Sequence, residues 1–321
     1  MISTESAREL FLFQKEHNPV YRLFTDALGV HRITSPHEIP LLPIEAFKYA
    51  DIIAPSLKRT SSDEPLIFKS SGTSGMQQSR HVVLNKDAYR TSILKGMSEF
   101  YTLEDFVFWC YTPGYNDNPH SSLIWMLKTL IGQDSSGLST FLPLNAPLEH
   151  DKLEQVVASG KQLMLFGAAF GLIDLAELYT VQLPEQTIIV ETGGMKTHRR
   201  EMSRQALKKE LSKAFSLAQS NIHSEYGMTE LLSQSYNLGT DWFTPVPWMH
   251  VTIRDPKNPM RILPPGEEGR IGVIDEANRY SCPFLLTGDK GVLHEDRTRF
   301  QVLGRWNSKN LRGCNFLIDQ D

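Results

Sequence analysis

Cysteine is scarce in this chain, and two other absences help to bound the class of protein. The three cysteines among 321 residues, Cys110, Cys282 and Cys314, are too few and too widely spaced for a disulfide framework or a paired-cysteine metal site. No apolar run approaches the roughly 20 residues of a membrane-spanning helix. The N-terminus lacks the basic segment followed by an apolar stretch that marks a secretory signal. These absences predict a cytoplasmic protein without a membrane span.

The charge balance is also unremarkable, with 33 Lys and Arg residues against 37 Asp and Glu residues and a net charge of −4. Such a balance gives no reason to expect nucleic acid as a partner, because nucleic-acid-binding domains are usually basic. Hydrophobic residues make up 40% and charged residues 22% of the chain, as in ordinary globular proteins. The length suffices for one large domain or two.

The hydrophobic pattern predicts an α/β protein. Short apolar runs typical of buried strands alternate with longer helical patterns, which favours mainly parallel sheets flanked by helices. Strands are predicted at 66–69, 81–84, 106–111, 162–166 and 187–191, and helices at 149–159, 170–179 and about 198–218. Beyond residue 248 the pattern changes to short β-like runs between Pro- and Gly-rich turns, at 251–254, 270–274, 284–286, 291–294 and 299–303. This end of the chain is predicted to be a small β-rich subdomain.

Four regions follow from these changes in pattern. We predict an N-terminal helical segment over 1–65 that packs on the core, and an α/β nucleotide- and acyl-binding core over 66–250. The β-rich subdomain takes 251–303, and a hinge-like C-terminal tail takes 304–321.

A loop of small residues follows the first predicted strand of the core. It consists of Ser70, Ser71, Gly72, Thr73, Ser74 and Gly75. Glycines allow the backbone to approach a ligand, and successive N–H groups and hydroxyls form a concavity for anions. Arg80 follows shortly and supplies a cation for phosphates. The loop lacks the Gly-Lys-Ser/Thr of a Walker A motif, and a plain surface turn is the alternative interpretation.

Three further motifs carry polar groups suited to a nucleotide. In the string from Ser224 to Glu230, the Glu230 carboxylate suits Mg²⁺, Thr229 suits the α-phosphate, and Tyr226 offers a flat face for a base. Asp289, in Thr-Gly-Asp, suits the two hydroxyls of a ribose, and Arg305, after Gly304, suits ribose or phosphate oxygens. Taken singly, these strings are equally typical of a helix start with an exposed Glu230, a β-turn and a surface arginine.

Together, and in this order, the motifs resemble those of the adenylate-forming superfamily of acyl-CoA synthetases and related ligases, over about residues 66–313. The resemblance implies ATP and Mg²⁺ as cofactors and a carboxylic acid as substrate. It implies that Ser70 to Gly75 bind the phosphates, that Thr229, Glu230 and Arg80 are catalytic, and that Glu230 binds Mg²⁺. The nucleotide-binding residues that it implies elsewhere are Gly193, Gly194, Tyr226, Gly227, Asp289 and Arg305.

One branch of the superfamily is especially similar, the LuxE-type acyl-protein synthetases. Typical superfamily members continue about 100 residues into a C-terminal domain that supplies a lysine, whereas this sequence stops at Asp321. In the LuxE-type branch, the acyl group passes to a cysteine near the C-terminus and then to a reductase partner. Cys314 matches that placement, and its thiolate would be a strong nucleophile. A small buried residue is the alternative interpretation of Cys314.

The predicted reaction is ATP-dependent activation of a carboxylic acid, in particular a fatty acid, as acyl-AMP, followed by transfer to the Cys314 thiol. An acyl-acceptor protein, either a reductase or a carrier, would then take the acyl group. Two alternatives stay open: an aryl- or acyl-CoA ligase, and a degenerate homologue that binds nucleotide without turnover. Aromatic residues either line an acyl pocket or belong to the core, namely Phe108, Trp109, Tyr111, Tyr115 and Trp125.

Overall fold

The computed structural model describes residues 2–55, 64–70, 77–112, 118–144, 146, 148–178, 182–193 and 203–306. Within these ranges the helices are α1 (Thr4–His17), α2 (Pro19–Ala27), α3 (Lys86–Ser98), α4 (Ser122–Ile131), α5 (His150–Ala158), α6 (Ala169–Leu178) and α7 (Arg204–Ala214). Asn85 caps α3 as its residue type favours, because its side-chain oxygen accepts a hydrogen bond from the Ala88 N–H. Among the described residues, none of the helices combines the length and the apolar composition of a membrane span.

The strands of the described residues fall into three sheets. They are β1 (Leu42–Pro43), β2 (Leu66–Lys69), β3 (Arg80–Val83), β4 (Phe106–Tyr111), β5 (Thr140–Phe141), β6 (Gln162–Gly167), β7 (Ile188–Glu191), β8 (Ile222–Tyr226), β9 (Ser235–Asn237), β10 (Thr244–Pro245), β11 (Met249–Arg254), β12 (Glu268–Asp275), β13 (Phe284–Leu293) and β14 (Phe300–Arg305).

The largest sheet has the strand order β10-β9-β8-β7-β6-β4-β5. Its five strands from β5 to β8 are mutually parallel, and β9 and β10 are added antiparallel at one edge. Parallel strands end at the same edge of a sheet, so the segments that follow β7 and β8 lie side by side. Those segments carry Gly193 and the residues from Gly227 to Glu230. The prediction of a mainly parallel α/β core is confirmed.

The second sheet joins β11, β12, β13 and β14 in antiparallel order, and β1 pairs parallel with β13. The N-terminal region therefore contributes a strand to the C-terminal sheet. The hairpin of β2 and β3 stands apart as a two-stranded sheet, and the Ser/Gly loop lies between its strands. The four region boundaries that we inferred from the sequence remain predictions.

Two hydrophobic clusters cover the two faces of the central sheet. Along β4, whose residues are all buried, Phe108 and Cys110 belong to one cluster, whereas Trp109 and Tyr111 belong to the other. Side chains alternate across a strand, so these aromatic residues cannot line one acyl pocket, as one interpretation of the sequence supposed. Trp125 packs in the same cluster as Phe108. Tyr115 lies outside the described residues.

Several sequence-based expectations of local structure were wrong. The runs predicted as separate strands at 284–286 and 291–294 belong to the single strand β13, whose register shifts between Lys290 and Gly291. Thr-Gly-Asp therefore lies within a strand and not in a β-turn. The string that begins at Ser224 continues strand β8 and does not start a helix. Pairing with neighbouring strands, which a local pattern does not contain, overrides the turn and helix preferences of these residues.

Candidate functional site

Three residues predicted from separate motifs meet around one carboxylate. The Asp289 Oδ2 atom accepts a hydrogen bond of 3.0 Å from the Tyr226 hydroxyl, and its Oδ1 atom lies 3.1 Å from the Arg305 Nε. Asp289 and Arg305 are direct partners in the β13–β14 pairing, so the antiparallel register brings them together. Asp289 is buried, whereas 61% of the Arg305 side chain is exposed. The arginine can therefore meet an incoming ligand.

Glu230 lies beside this cluster and is only 5% exposed. The pKa of its carboxyl is raised, mainly by burial and also by the charge of Asp289. A hydrogen bond from the Ser79 side chain and the charge of Arg305 act in the opposite direction. The alternative in which Glu230 is a surface residue is therefore wrong. Ser79 was not anticipated from the sequence, although it lies only four residues after the Ser/Gly loop.

Buried side chains hold the backbone that carries Thr229 and Glu230. The Thr229 carbonyl accepts a hydrogen bond of 2.7 Å from the His81 Nδ1, and the Glu230 carbonyl accepts one of 2.8 Å from the Asn278 Nδ2. Beyond them, the Asp275 carboxylate accepts hydrogen bonds from the Leu232 and Ser233 N–H groups. These side chains satisfy buried backbone groups in a segment without regular structure.

Tyr226 and the glycine that follows it are tightly enclosed. The Tyr226 ring packs against Phe243 and Phe300, with ring centroids 5.9 and 5.5 Å away. A Cβ at Gly227 would lie 2.5 Å from the Glu225 Oε1 atom, which is too close for any larger residue without movement. Gly227 therefore serves the close packing against the Glu225 and Gln234 side chains.

The base of the Ser/Gly loop is closed by two hydrogen bonds. The Ser70 N–H donates to the Ser79 carbonyl over 3.1 Å, and the Ser79 N–H donates to the Ser70 Oγ over 3.0 Å. Arg80 forms an ion pair with Asp51, and both side chains are partly exposed. Arg80 thus has a protein partner where we expected a free cation for phosphates. The other predicted loop residues lie outside the described residues: Ser71, Gly72, Thr73, Ser74 and Gly75.

A recess opens beside the end of β7 and the first half of β8. Gly193, which follows β7, has a φ of 67° that favours glycine, and its N–H donates to the Glu191 carboxylate over 2.9 Å. The Arg204 guanidinium stacks over the Phe243 ring at 4.5 Å, near Tyr226. The recess is lined by Glu191, Arg204, Lys208, Ser224, Thr240 and Asp241, with Leu207 and Ile222 as apolar walls. Gly194 lies outside the described residues.

Glu225 is a buried carboxyl that the sequence analysis did not single out. Burial is the larger cause and the charge of the neighbouring Glu191 the smaller one, and together they raise the pKa of Glu225 to about 8. Its cross-strand partner Tyr236 has a buried hydroxyl with no hydrogen-bond partner among the described residues. Glu225 lies in β8, whose residues are all buried, and that strand was not predicted from the sequence.

Replacement of Glu225 by Gln tests this burial through the pH dependence of stability. A carboxyl whose folded-state pKa is raised contributes stability at pH values below its unfolded pKa, and that contribution is lost as the pH rises to about 8. We expect Glu225→Gln to flatten the decline of the unfolding free energy between about pH 4.5 and 8, by roughly 1.4 kcal/mol per pKa unit. Urea unfolding at several pH values measures it. An unchanged decline in the variant would show that Glu225 is not the titrating group.

The two described cysteines are both buried and free. Burial raises the pKa of Cys110 far above its usual value and that of Cys282 to about 12, so neither forms a thiolate readily. Cys110 is a core residue, as the sequence indicated. Cys314 lies outside the described residues.

The described residues contain few groups of side chains, apart from Glu230, that could bind a metal ion. The one cluster of three such groups found there, His150, Asp151 and Glu154, is exposed. Mg²⁺ commonly binds through one or two carboxylates, with water and substrate phosphates as its other ligands. The buried Glu230 carboxylate fits that coordination, because a cation would offset the cost of burying its charge.

The fold is similar to that of several solved enzymes. A 2-hydroxyisobutyryl-CoA ligase in the postadenylation state, in complex with 2-HIB-AMP, matches with a TM-score of 0.62 at 14% identity over 93% of this chain and 66% of that one. A luciferase-like enzyme from the nonluminescent mealworm Zophobas morio matches with 0.53 at 18% identity, over 79% and 60%. A long-chain-fatty-acid-CoA ligase from Archaeoglobus fulgidus matches with 0.54 at 13% identity, over 78% and 53%.

These likenesses confirm the fold of the adenylate-forming enzymes. The chain spans about half to two thirds of the length of those three structures. No curated protein matches the chain significantly. The family model of LuxE, the acyl-protein synthetase, matches residues 8–321. Since that match covers nearly the whole sequence, the protein belongs to the LuxE family of acyl-protein synthetases.

Proposed function

We propose that this protein activates a carboxylic acid, in particular a fatty acid, as its acyl-adenylate and then transfers the acyl group to a thiol. The observation that carries the proposal is the cluster around Asp289, which joins Tyr226 and Arg305 and has the buried Glu230 beside it. A nucleotide needs acceptors for its ribose, donors for its phosphates and a carboxylate for its metal. All three kinds of group meet here.

In the proposed complex, the Asp289 carboxylate accepts hydrogen bonds from the two ribose hydroxyls, and Arg305 contacts ribose or phosphate oxygens. The adenine lies beside Gly193 and Gly194, with the face of Tyr226 against the base. Thr229 donates to the α-phosphate. The β- and γ-phosphates lie in the loop from Ser70 to Gly75, where Ser71, Gly72, Thr73 and Ser74 supply N–H groups and hydroxyls. Arg80 leaves Asp51 to join the phosphates.

Glu230 would hold Mg²⁺ in that complex. The ion supplies charge neutralisation at the phosphate oxygens as pyrophosphate leaves. The chain's own residues hold the reacting groups in line and exclude water, which is most of what phosphoryl and nucleotidyl transfer require.

The proposed reaction has two steps. First, a carboxylate oxygen of the acid attacks the α-phosphorus of ATP, the bond to the β-phosphate oxygen breaks, and pyrophosphate leaves with its electron pair. Second, a thiolate attacks the acyl carbon of the adenylate, and AMP leaves as the mixed anhydride breaks. The high pKa values of the buried Cys110 and Cys282 support Cys314 as that thiol. An acceptor protein, either a reductase or a carrier, then takes the acyl group.

Replacement of Asp289 by Asn tests the nucleotide site. Hydrogen bonds to a charged acceptor contribute about 1.5–3 kcal/mol, so we expect the KM for ATP to rise about 10- to 100-fold. The wild type should also prefer ATP to 2′-deoxyATP, because the latter lacks one hydroxyl. That preference should shrink in Asp289→Asn. Acid-dependent pyrophosphate release with each nucleotide measures both effects.

The matched control is Asp105→Asn, which removes an exposed carboxylate in the short helical turn before β4. It should keep the wild-type KM and the wild-type preference between the two nucleotides. If Asp289→Asn and the wild type prefer ATP to 2′-deoxyATP equally, Asp289 does not bind the ribose. Release of AMP that requires added coenzyme A would instead indicate an acyl-CoA ligase.

A further inference from the structure

The Thr229–Glu230 dipeptide is held from two sides by buried side chains. His81 donates from its Nδ1 to the Thr229 carbonyl over 2.7 Å, and Asn278 donates from its Nδ2 to the Glu230 carbonyl over 2.8 Å. A carbonyl oxygen can only accept, so the His81 Nδ1 carries the proton. Both His81 and Asn278 are completely buried. The dipeptide thus has a fixed position relative to two separate elements of the fold.

His81 comes from the hairpin that carries the Ser/Gly loop. It lies on β3, opposite Phe68 of β2, and follows Arg80 directly. Its ring packs edge-on against Phe47, with ring centroids 5.5 Å apart. The hydrogen bond therefore joins the strand that ends the phosphate loop to the segment proposed to hold the α-phosphate and the metal ion.

We infer that His81 is a positioning residue for adenylation, one that fixes the Thr229–Glu230 segment relative to strand β3 through its hydrogen bond to the Thr229 carbonyl. The inference rests on the proposed function of that segment. His81 touches no reacting atom, and it acts by holding Thr229 and Glu230 where the α-phosphorus will lie. A displacement of about 1 Å in such a group can cost about 100-fold in rate.

Three substitutions separate the hydrogen bond from the packing of the ring. His81→Asn keeps a donor near the Nδ1 position but loses the ring. His81→Phe keeps an aromatic ring against Phe47 but has no donor, and His81→Gln moves the donor to the Nε2 position. If His81 serves only stability, the rate of each variant should be proportional to its folded fraction. If His81 is a positioning residue, the rate per folded molecule should be high only in variants that keep a donor near the Nδ1 position.

The measurement is acid-dependent pyrophosphate release, with kcat and the KM for ATP determined separately and the folded fraction taken from thermal unfolding. We expect kcat to fall about 10- to 100-fold in His81→Phe and His81→Gln and less than about 10-fold in His81→Asn. The KM for ATP should stay within about threefold of wild type in all three, because the ribose and adenine contacts are intact.

Phe47→Leu is the matched control, because it loosens the packing around His81 and leaves the donor in place. It should lower Tm with little change in kcat. The inference is overturned if His81→Phe turns over as fast as His81→Asn per folded molecule, or if Phe47→Leu loses as much kcat as His81→Gln. A wild type without acid-dependent release would instead overturn the proposed function, so the two failures are distinguishable.

Discussion

Glu230→Gln should abolish adenylation without harming the fold. We expect acid-dependent pyrophosphate release to fall about 100- to 1,000-fold, a loss typical of removing one preorganised electrostatic contact to the reacting centre. The side chain keeps its size and one acceptor oxygen, but it no longer carries the negative charge that would hold Mg²⁺. Because burial raises the pKa of the Glu230 carboxyl, the folded state bears a cost for the charged form. The amide removes that cost, so Tm should not fall.

Loss of activity with retained or increased stability is the signature of a buried charge kept for function. Pyrophosphate release and thermal unfolding of the same preparation measure the two effects. Glu295→Gln, on an exposed turn between β13 and β14, is the matched control and should change neither. Wild-type release by Glu230→Gln would exclude Glu230 from the metal site. A large drop in Tm would assign it a structural role.

Cys314→Ser should separate the two proposed steps. A serine hydroxyl is far less nucleophilic than a thiolate at neutral pH. We therefore expect covalent labelling of the enzyme by a radioactive fatty acid and MgATP to fall to background. Acid-dependent pyrophosphate exchange should stay within about threefold of wild type, because adenylation precedes the thiol. Denaturing electrophoresis measures the covalent label, and an exchange assay on the same samples measures adenylation.

The chemistry of the label provides a second check on this prediction. The wild-type label should be released by neutral hydroxylamine, as thioesters are, and Cys282→Ala should retain it. A label that persists in Cys314→Ser would place the acyl group on another residue. A wild type that accumulates acyl-AMP but no covalent label would leave adenylation intact and remove Cys314 as the acceptor.

The sequence predicts a nucleotide site because each motif combines a residue type with a chemistry that a nucleotide requires. Asp289, Arg305 and Tyr226 come from motifs many residues apart, and the structure joins them through strand pairing and a hydrogen bond. The alternation of short apolar runs likewise predicted β4, β6 and β7, because strands buried on both faces are continuously apolar.

The sequence could not predict features that depend on tertiary neighbours. Strand β8 contains His223, Ser224 and Glu225, so its polar composition concealed a fully buried strand. The contacts of His81 and Ser79 exist only because the hairpin packs against the Thr229–Glu230 segment. The partner of Arg80, Asp51, comes from a distant part of the chain. Hydrophobic periodicity contains no information about such pairings.

The most direct test of acyl-adenylate formation is isotope exchange between radiolabelled pyrophosphate and ATP, with Mg²⁺ and a panel of fatty and aryl acids. The proposed function predicts exchange that requires an added acid, is fastest with fatty acids, and needs neither coenzyme A nor Cys314. Absence of exchange with every acid, by a folded protein that binds ATP, would contradict it.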